Sequence, residues 1–153
     1  MNPDSVSTIT EYINNHPLAV ISTIDPDGKP YGTTLYAASD DQLNVYFITK
    51  TETHKSRYIN LNPNVALTFT GEDHQTTLQL SGQAIELSTA EEGSTAFHAL
   101  DSIRHHHQDF RLPISKLQAG PYIVYKVIVS HALLTQYESP GHAEGVNKIE
   151  YAR

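Results

Sequence analysis

The sequence contains no cysteine. Disulfide staples, zinc–thiolate centres, iron–sulfur clusters and cysteine nucleophiles are thereby excluded. Positive charge is also scarce: 10 Lys and Arg stand against 17 Asp and Glu, a formal net charge of −7 with neutral histidines. Nucleic-acid binders draw much of their affinity from neutralising phosphates, so no nucleic-acid partner is expected. No apolar run reaches the ~20 residues needed to cross a bilayer. Met1 to Asp4 lack the basic and apolar regions of a secretory leader. The expectation is a cytoplasmic protein with no membrane partner. Walker loops, Gly-x-Gly-x-x-Gly and Gly-x-Ser-x-Gly are missing too. A Rossmann nucleotide site and a hydrolase triad are therefore not indicated.

What is present fits one domain of 153 residues, long enough to bury a core without staples. Asp4 or Ser5 can cap a first helix, in which Val6, Ile9 and Ile13 recur at helical spacing. His16-Pro17 ends it, because the residue before proline is pushed away from helical angles. Leu18 to Ile24 is rich in Val, Ile and Thr and predicts a strand. Asp25-Pro26-Asp27-Gly28 predicts a tight turn into a return strand, Pro30 to Ala37. A third strand, Leu43 to Thr49, carries bulk on both faces and is expected to be buried. Further strands follow at Val65 to Thr70, Thr77 to Leu87 and Tyr122 to Thr135. Gly82, inside the fifth, marks a bulge or a close backbone approach. Ser88-Thr89-Ala90-Glu91 is a capping box that opens a helix with Phe97, Leu100 and Ile103 on one side. The domain is expected over residues 1–137, with a polar tail over 138–153. Short strands joined by tight turns pair antiparallel. Six of them with few helices predict a mainly β fold, a sheet curled into a barrel that leaves no open edge.

The segment richest in chemistry is Thr49-Lys50-Thr51-Glu52-Thr53-His54-Lys55, which leaves a buried strand and enters a short helix. The first N–H groups of a helix lack intrahelical partners and carry partial positive charge. Hydroxyls from Thr51 and Thr53 and the side chains of His54 and Lys55 complete a socket suited to a phosphate. The same residues also fit an ordinary N-cap followed by a solvated lysine.

Ile48 to Lys55, followed by Asn62-Pro63-Asn64-Val65-Ala66-Leu67-Thr68-Phe69, resembles the pyridoxamine 5′-phosphate oxidase family. Asp27-Gly28-Lys29-Pro30-Tyr31 is similar to that family's Gly-x-Pro hairpin. Leu80-Ser81-Gly82-Gln83-Ala84 is similar to its glycine-containing central strand, and Tyr122 to Tyr137 to the last strand of its shorter, general-stress-protein-like members. The resemblance implies a six-stranded antiparallel split β-barrel of the FMN-binding type. It implies a homodimer with FMN at the interface and a flavin-dependent oxidoreductase of unidentified substrate, electron donor and acceptor. It assigns the FMN phosphate to His54 and Lys55, with Thr53 beside them. Thr49, with Ile48 before it, falls at the strand end beside the phosphate and ribityl chain. Thr33, Thr34, Leu35 and Tyr36 fall on the strand whose backbone faces the flavin, and Thr77 where the family often has a glutamine near the ring.

Two departures narrow the activity. The family's oxidases have an arginine where this chain has Thr33. They also carry a C-terminal segment with Trp and Arg-Leu-x-Pro elements, whereas the sequence ends in Lys148-Ile149-Glu150-Tyr151-Ala152-Arg153. Oxidation of pyridoxamine phosphate itself is therefore not expected, and no catalytic acid or base is assigned. A flavin-binding or stress-related module without turnover, and a haem- or deazaflavin-binding relative on the same barrel, are the alternative readings. The run Arg104-His105-His106-His107 does not predict a metal site, since adjacent helical residues point about 100° apart.

Overall fold

The computed structural model describes residues 3–73, 75–87, 94, 96–101, 121–137 and 146–153. Helix α1 (Pro3–Asn15) seats Ile9 and Ile13 fully in the core, with Val6 and Tyr12 packed beside them. Asp4 lies in its first turn rather than capping it. The chain leaves the helix at His16, whose N–H still reaches the Tyr12 carbonyl, and enters β1 (Leu18–Ile24) after Pro17.

Strands β1 and β2 (Pro30–Ser39) form the expected hairpin. Gly28 has φ +79°, and the Asp25 carboxylate accepts the N–H groups of Asp27 and Lys29 at 2.9 and 2.8 Å. Strand β3 (Asn44–Lys50) is buried on both faces, as its sequence predicts. It begins one residue later than expected, because Leu43 takes φ 59° and ends the preceding turn. The Asp40 carboxylate imposes that geometry: it accepts from the N–H groups of Gln42 and Asn44, the Asn44 amide and the Tyr46 hydroxyl. A left-handed L-residue costs about 1–2 kcal/mol, which these bonds and the complete burial of the Leu43 side chain offset.

After α2 (His54–Leu61) come β4 (Asn64–Thr70), β5 (Thr76–Glu86), β6 (Tyr122–Tyr137) and β7 (Val146–Ala152). The order β3-β2-β1-β4-β5-β6, with β6 returning to β3, closes a six-stranded antiparallel barrel. Inward residues alternate along each strand, among them Ile21, Leu67, Phe69, Leu78 and Val127. At Ser81/Gly82 the β5–β6 register shifts by a bulge. A Cβ on Gly82 would collide with the Ile128 backbone carbonyl, so both sequence readings of this glycine hold.

Strand β6 is long enough to serve two partners on one edge. Tyr122–Ile128 pairs with β3, and His131–Tyr137 pairs with β7. The stretch expected as a polar tail thus contains a strand, with Tyr151 in the core and Ile149 packed against it. Of the helix expected after Ser88, residues 96–101 are described and helical. Ala96 and Leu100 are buried there, but Phe97, expected on the same side, is exposed. Ile103 and the Arg104–His107 run lie outside the described residues.

Candidate anion and cofactor site

The ladder that closes the barrel is shortest between β2 and β3. Strand β2 pairs with β1 along Pro30–Tyr36, but its register with β3 covers only Ala37, Ala38 and Ser39. Strand β3 pairs with β6 over its whole length, yet Ile48–Lys50 has no β2 partner. The two strands splay, and α2 begins where the gap opens. Among the described residues, one backbone edge of β2 and the end of β3 are therefore left unladdered along a common slot.

The start of α2 is fixed by hydroxyls. Thr53 is the N-cap, with extended angles, and its Oγ1 accepts the Ser56 N–H at 3.3 Å. The same hydroxyl donates to the Lys50 carbonyl at 3.0 Å. Its proton is thus committed, so the Thr49 hydroxyl is the donor in the 3.2 Å Thr49–Thr53 contact. Inside the helix, Ser56 meets the Tyr125 hydroxyl at 3.0 Å, and Tyr125 donates to Asn60 Oδ1 at 3.3 Å. The Tyr125 ring is fully buried and stacks on Phe47 with centroids 5.2 Å apart. Burial pushes its phenol above the usual tyrosine range. A continuous hydrogen-bonded chain therefore ties α2 to β3 and β6.

Two cationic side chains border the slot from α2. The Lys55 ammonium is about half buried, and burial holds its pKa below the ordinary lysine value. It has no hydrogen-bond or ion-pair partner among the described residues. Arg57 donates from Nη2 to His54 Nδ1 at 3.0 Å. Because a guanidinium can only donate, Nδ1 is unprotonated and also accepts the Tyr58 hydroxyl at 3.2 Å. The His54 ring lies 5.6 Å from Tyr31 of β2 and 5.7 Å from Tyr58, centroid to centroid.

Most residues singled out from the sequence surround this slot. Thr49, Thr53, His54 and Lys55 gather at the β3–α2 junction. Thr33, Thr34, Leu35 and Tyr36 lie on the unladdered part of β2. Of these, Leu35 turns into the core while Tyr36 turns outward, where it packs with Ile48 against Ala38 and Leu100. Thr77 stands apart: it pairs with Thr70 and Thr135, and β4 and β1 separate its strand from β2. Sequence reasoning missed Tyr31, Arg57 and Tyr58. The i+3 and i+4 spacing from His54 was a usable signal for the latter two, whereas Tyr31 reaches α2 only through the fold.

A family model described as pyridoxamine 5′-phosphate oxidase matches residues 6–119. A pyridoxine/pyridoxamine 5′-phosphate oxidase from Shewanella sediminis is 29% identical over 82 residues, which is 54% of this chain and 38% of the relative. The chain thus matches well under half the length of that relative. Among solved structures, a pyridoxamine 5′-phosphate oxidase-related, FMN-binding protein from Nostoc punctiforme superposes with a TM-score of 0.66 at 13% identity, covering 96% of this chain and 90% of its own. A heme-binding protein from Mycobacterium smegmatis gives a TM-score of 0.66 at 12% identity, covering 97% of this chain and 58% of its own. At these identities the structural likeness speaks for the fold alone.

Proposed function

We propose that this chain, which belongs to the pyridoxamine 5′-phosphate oxidase family, binds FMN in the slot between β2 and α2 and acts as a flavin-dependent oxidoreductase on a small molecule. The observation that carries the reading is the half-buried Lys55 ammonium, which has no partner among the described residues. A cation held partly out of water without a counter-charge destabilises the free protein, and an anionic ligand reverses that penalty. A phosphate monoester carries about −1.5 to −2 charges at neutral pH and accepts hydrogen bonds through three oxygens. The N–H groups of His54 and Lys55, which open α2 ahead of the Ser56 N–H that Thr53 caps, are the donors offered beside that ammonium. Arg57, held by His54 Nδ1, supplies a second cation where the family's oxidases use the position of Thr33.

The unladdered edge of β2 supports the ring end of the ligand. A free strand edge offers N–H and C=O groups in alternation, the pattern that the imide edge of a flavin requires. When bound, FMN supplies the electron transfer, while the chain anchors the phosphate, orients the ring and tunes it through those backbone bonds.

The reading includes a homodimer. Leu18 and Val20 are exposed on the outer face of β1, where Val20 pairs with Thr34 and Thr68 and lies diagonally beside Gly32. Two exposed large aliphatic side chains on one sheet face favour self-association. Thr77 lies on that outer side and reaches a slot only from a second copy. Light scattering tests this part: a dimer is expected, and Leu18→Asp should shift it towards monomer.

The functional test is the visible spectrum of protein purified from cells, followed by anaerobic NADH or NADPH. Flavin bands that bleach and return with an electron acceptor support the reading. A Soret band, or no response to added FMN, overturns it. Flavin bands that no reductant bleaches assign the chain to binding without turnover.

A further inference from the structure

A second cleft of about 780 Å³ lies between α1, the β2–β3 turn and the end of β7, at the opposite end of β2 from the slot. That volume is typical of small-molecule sites. Val6 and Tyr151 give it apolar walls, and Glu11, Asp41 and Arg153 give it charge. These three groups share one cleft, yet none forms an ion pair with another. Two carboxylates and one guanidinium thus stand apart, with room between them for a ligand to bridge.

The walls are held in advance. Asn14 of α1 exchanges two hydrogen bonds with the Ser39 backbone, at 3.1 and 2.9 Å, and Thr10 donates to the Asp40 carbonyl at 3.2 Å. The Arg153 N–H bonds the Ser130 carbonyl at 2.9 Å. Its Nε donates to the hydroxyl of buried Tyr151 at 3.0 Å, which aims the guanidinium, and among the described residues neither terminal nitrogen has a partner. Such prior ordering lowers the entropy cost of binding.

We propose that this cleft binds a free α-amino acid with a basic side chain. The guanidinium of Arg153 takes the ligand carboxylate, and Glu11 and Asp41 take its two cationic nitrogens. The charged side chains of the lining, two negative against one positive, complement the two cationic groups and one carboxylate of a lysine-like molecule. Val6 and Tyr151 cover its methylene stem.

The test is titration of the full-length protein with L-lysine, by calorimetry and by amide NMR. Saturable low-millimolar binding is expected, with shifts at Val6, Thr10 and Tyr151. L-lysinamide, Nα-acetyl-L-lysine and L-norleucine each lose one charged group and should bind roughly tenfold more weakly or worse, the scale of one charge-assisted hydrogen bond. Arg153→Gln should abolish the preference for lysine over lysinamide. Asp41→Asn, on an exposed turn, tests the ammonium side independently should the first variant fold poorly. FMN affinity is unaffected in both variants, which separates this site from the slot. No saturable shift with lysine, shifts elsewhere, or a carboxylate preference that survives Arg153→Gln would overturn the proposal.

Discussion

The two described full helices sit on the same barrel with different shares of apolar burial. Helix α1 is held by apolar burial, with Ile9 and Ile13 inserted completely, and by side-chain hydrogen bonds of Thr10, Tyr12 and Asn14 with the barrel backbone. Helix α2 buries only Ser56 and Ile59, and its attachment is the hydroxyl chain Thr49–Thr53–Ser56–Tyr125–Asn60. Burial of two isoleucines contributes roughly 3–6 kcal/mol, whereas each neutral hydrogen bond contributes about 1 kcal/mol net. The first helix serves the core. The second is a lightly anchored platform that carries Lys55, a group costly to the free protein. In the proposed reading, barrel stability rests mainly on the first and FMN binding on the second.

The largest expected effect attacks the α1 side. Ile13→Ala leaves a cavity in the core and should cost about 2–5 kcal/mol in denaturant unfolding, with FMN affinity unchanged while the protein stays folded. On the α2 side, Thr53→Ala removes the cap and should cost about 1 kcal/mol, but FMN affinity should fall as the α2 start loosens. An affinity loss with Ile13→Ala and none with Thr53→Ala would reverse the contrast. Smaller still, Lys55→Met should raise the melting temperature of the ligand-free protein, by about 1–3 °C, because it removes a partly desolvated charge. A lower melting temperature would mean that Lys55 has a stabilising partner.

The smallest effect is a pH dependence near the end of α1. Hydrogen bonds from the Gln75 and Thr76 N–H groups, and from the Thr76 hydroxyl, hold the Asp73 carboxyl below its ordinary range. A carboxyl lowered on folding adds stability above its unfolded pKa and loses it as pH falls through its folded value. Wild type should therefore lose more stability than Asp73→Asn between about pH 5 and pH 2. Parallel acid limbs in the two proteins would contradict this.

The barrel strands were legible because alternation and turn chemistry are local. Asp25 to Gly28 and Gly82 announced their own geometry. Strand β7 was not, since Val146–Ala152 carries polar residues on its exposed face and only Ile149 and Tyr151 turn towards the core. Its existence depends on the length of β6, which leaves an edge to be paired. The β3–α2 junction was readable as a helix start because Thr53, His54 and Lys55 are consecutive, and Thr53 is its N-cap. The slot was not readable, because the parting of β2 from β3 is a property of register rather than of residue type. The contact of Tyr31 with His54 follows from that parting.

The most direct measurement is the FMN dissociation constant of Lys55→Met beside that of wild type, from quenching of flavin fluorescence. The account predicts a loss of about 1.5–3 kcal/mol in binding free energy, the scale of one charge-assisted hydrogen bond. An unchanged constant would contradict it, because the ammonium at the start of α2 would then not be where the phosphate docks.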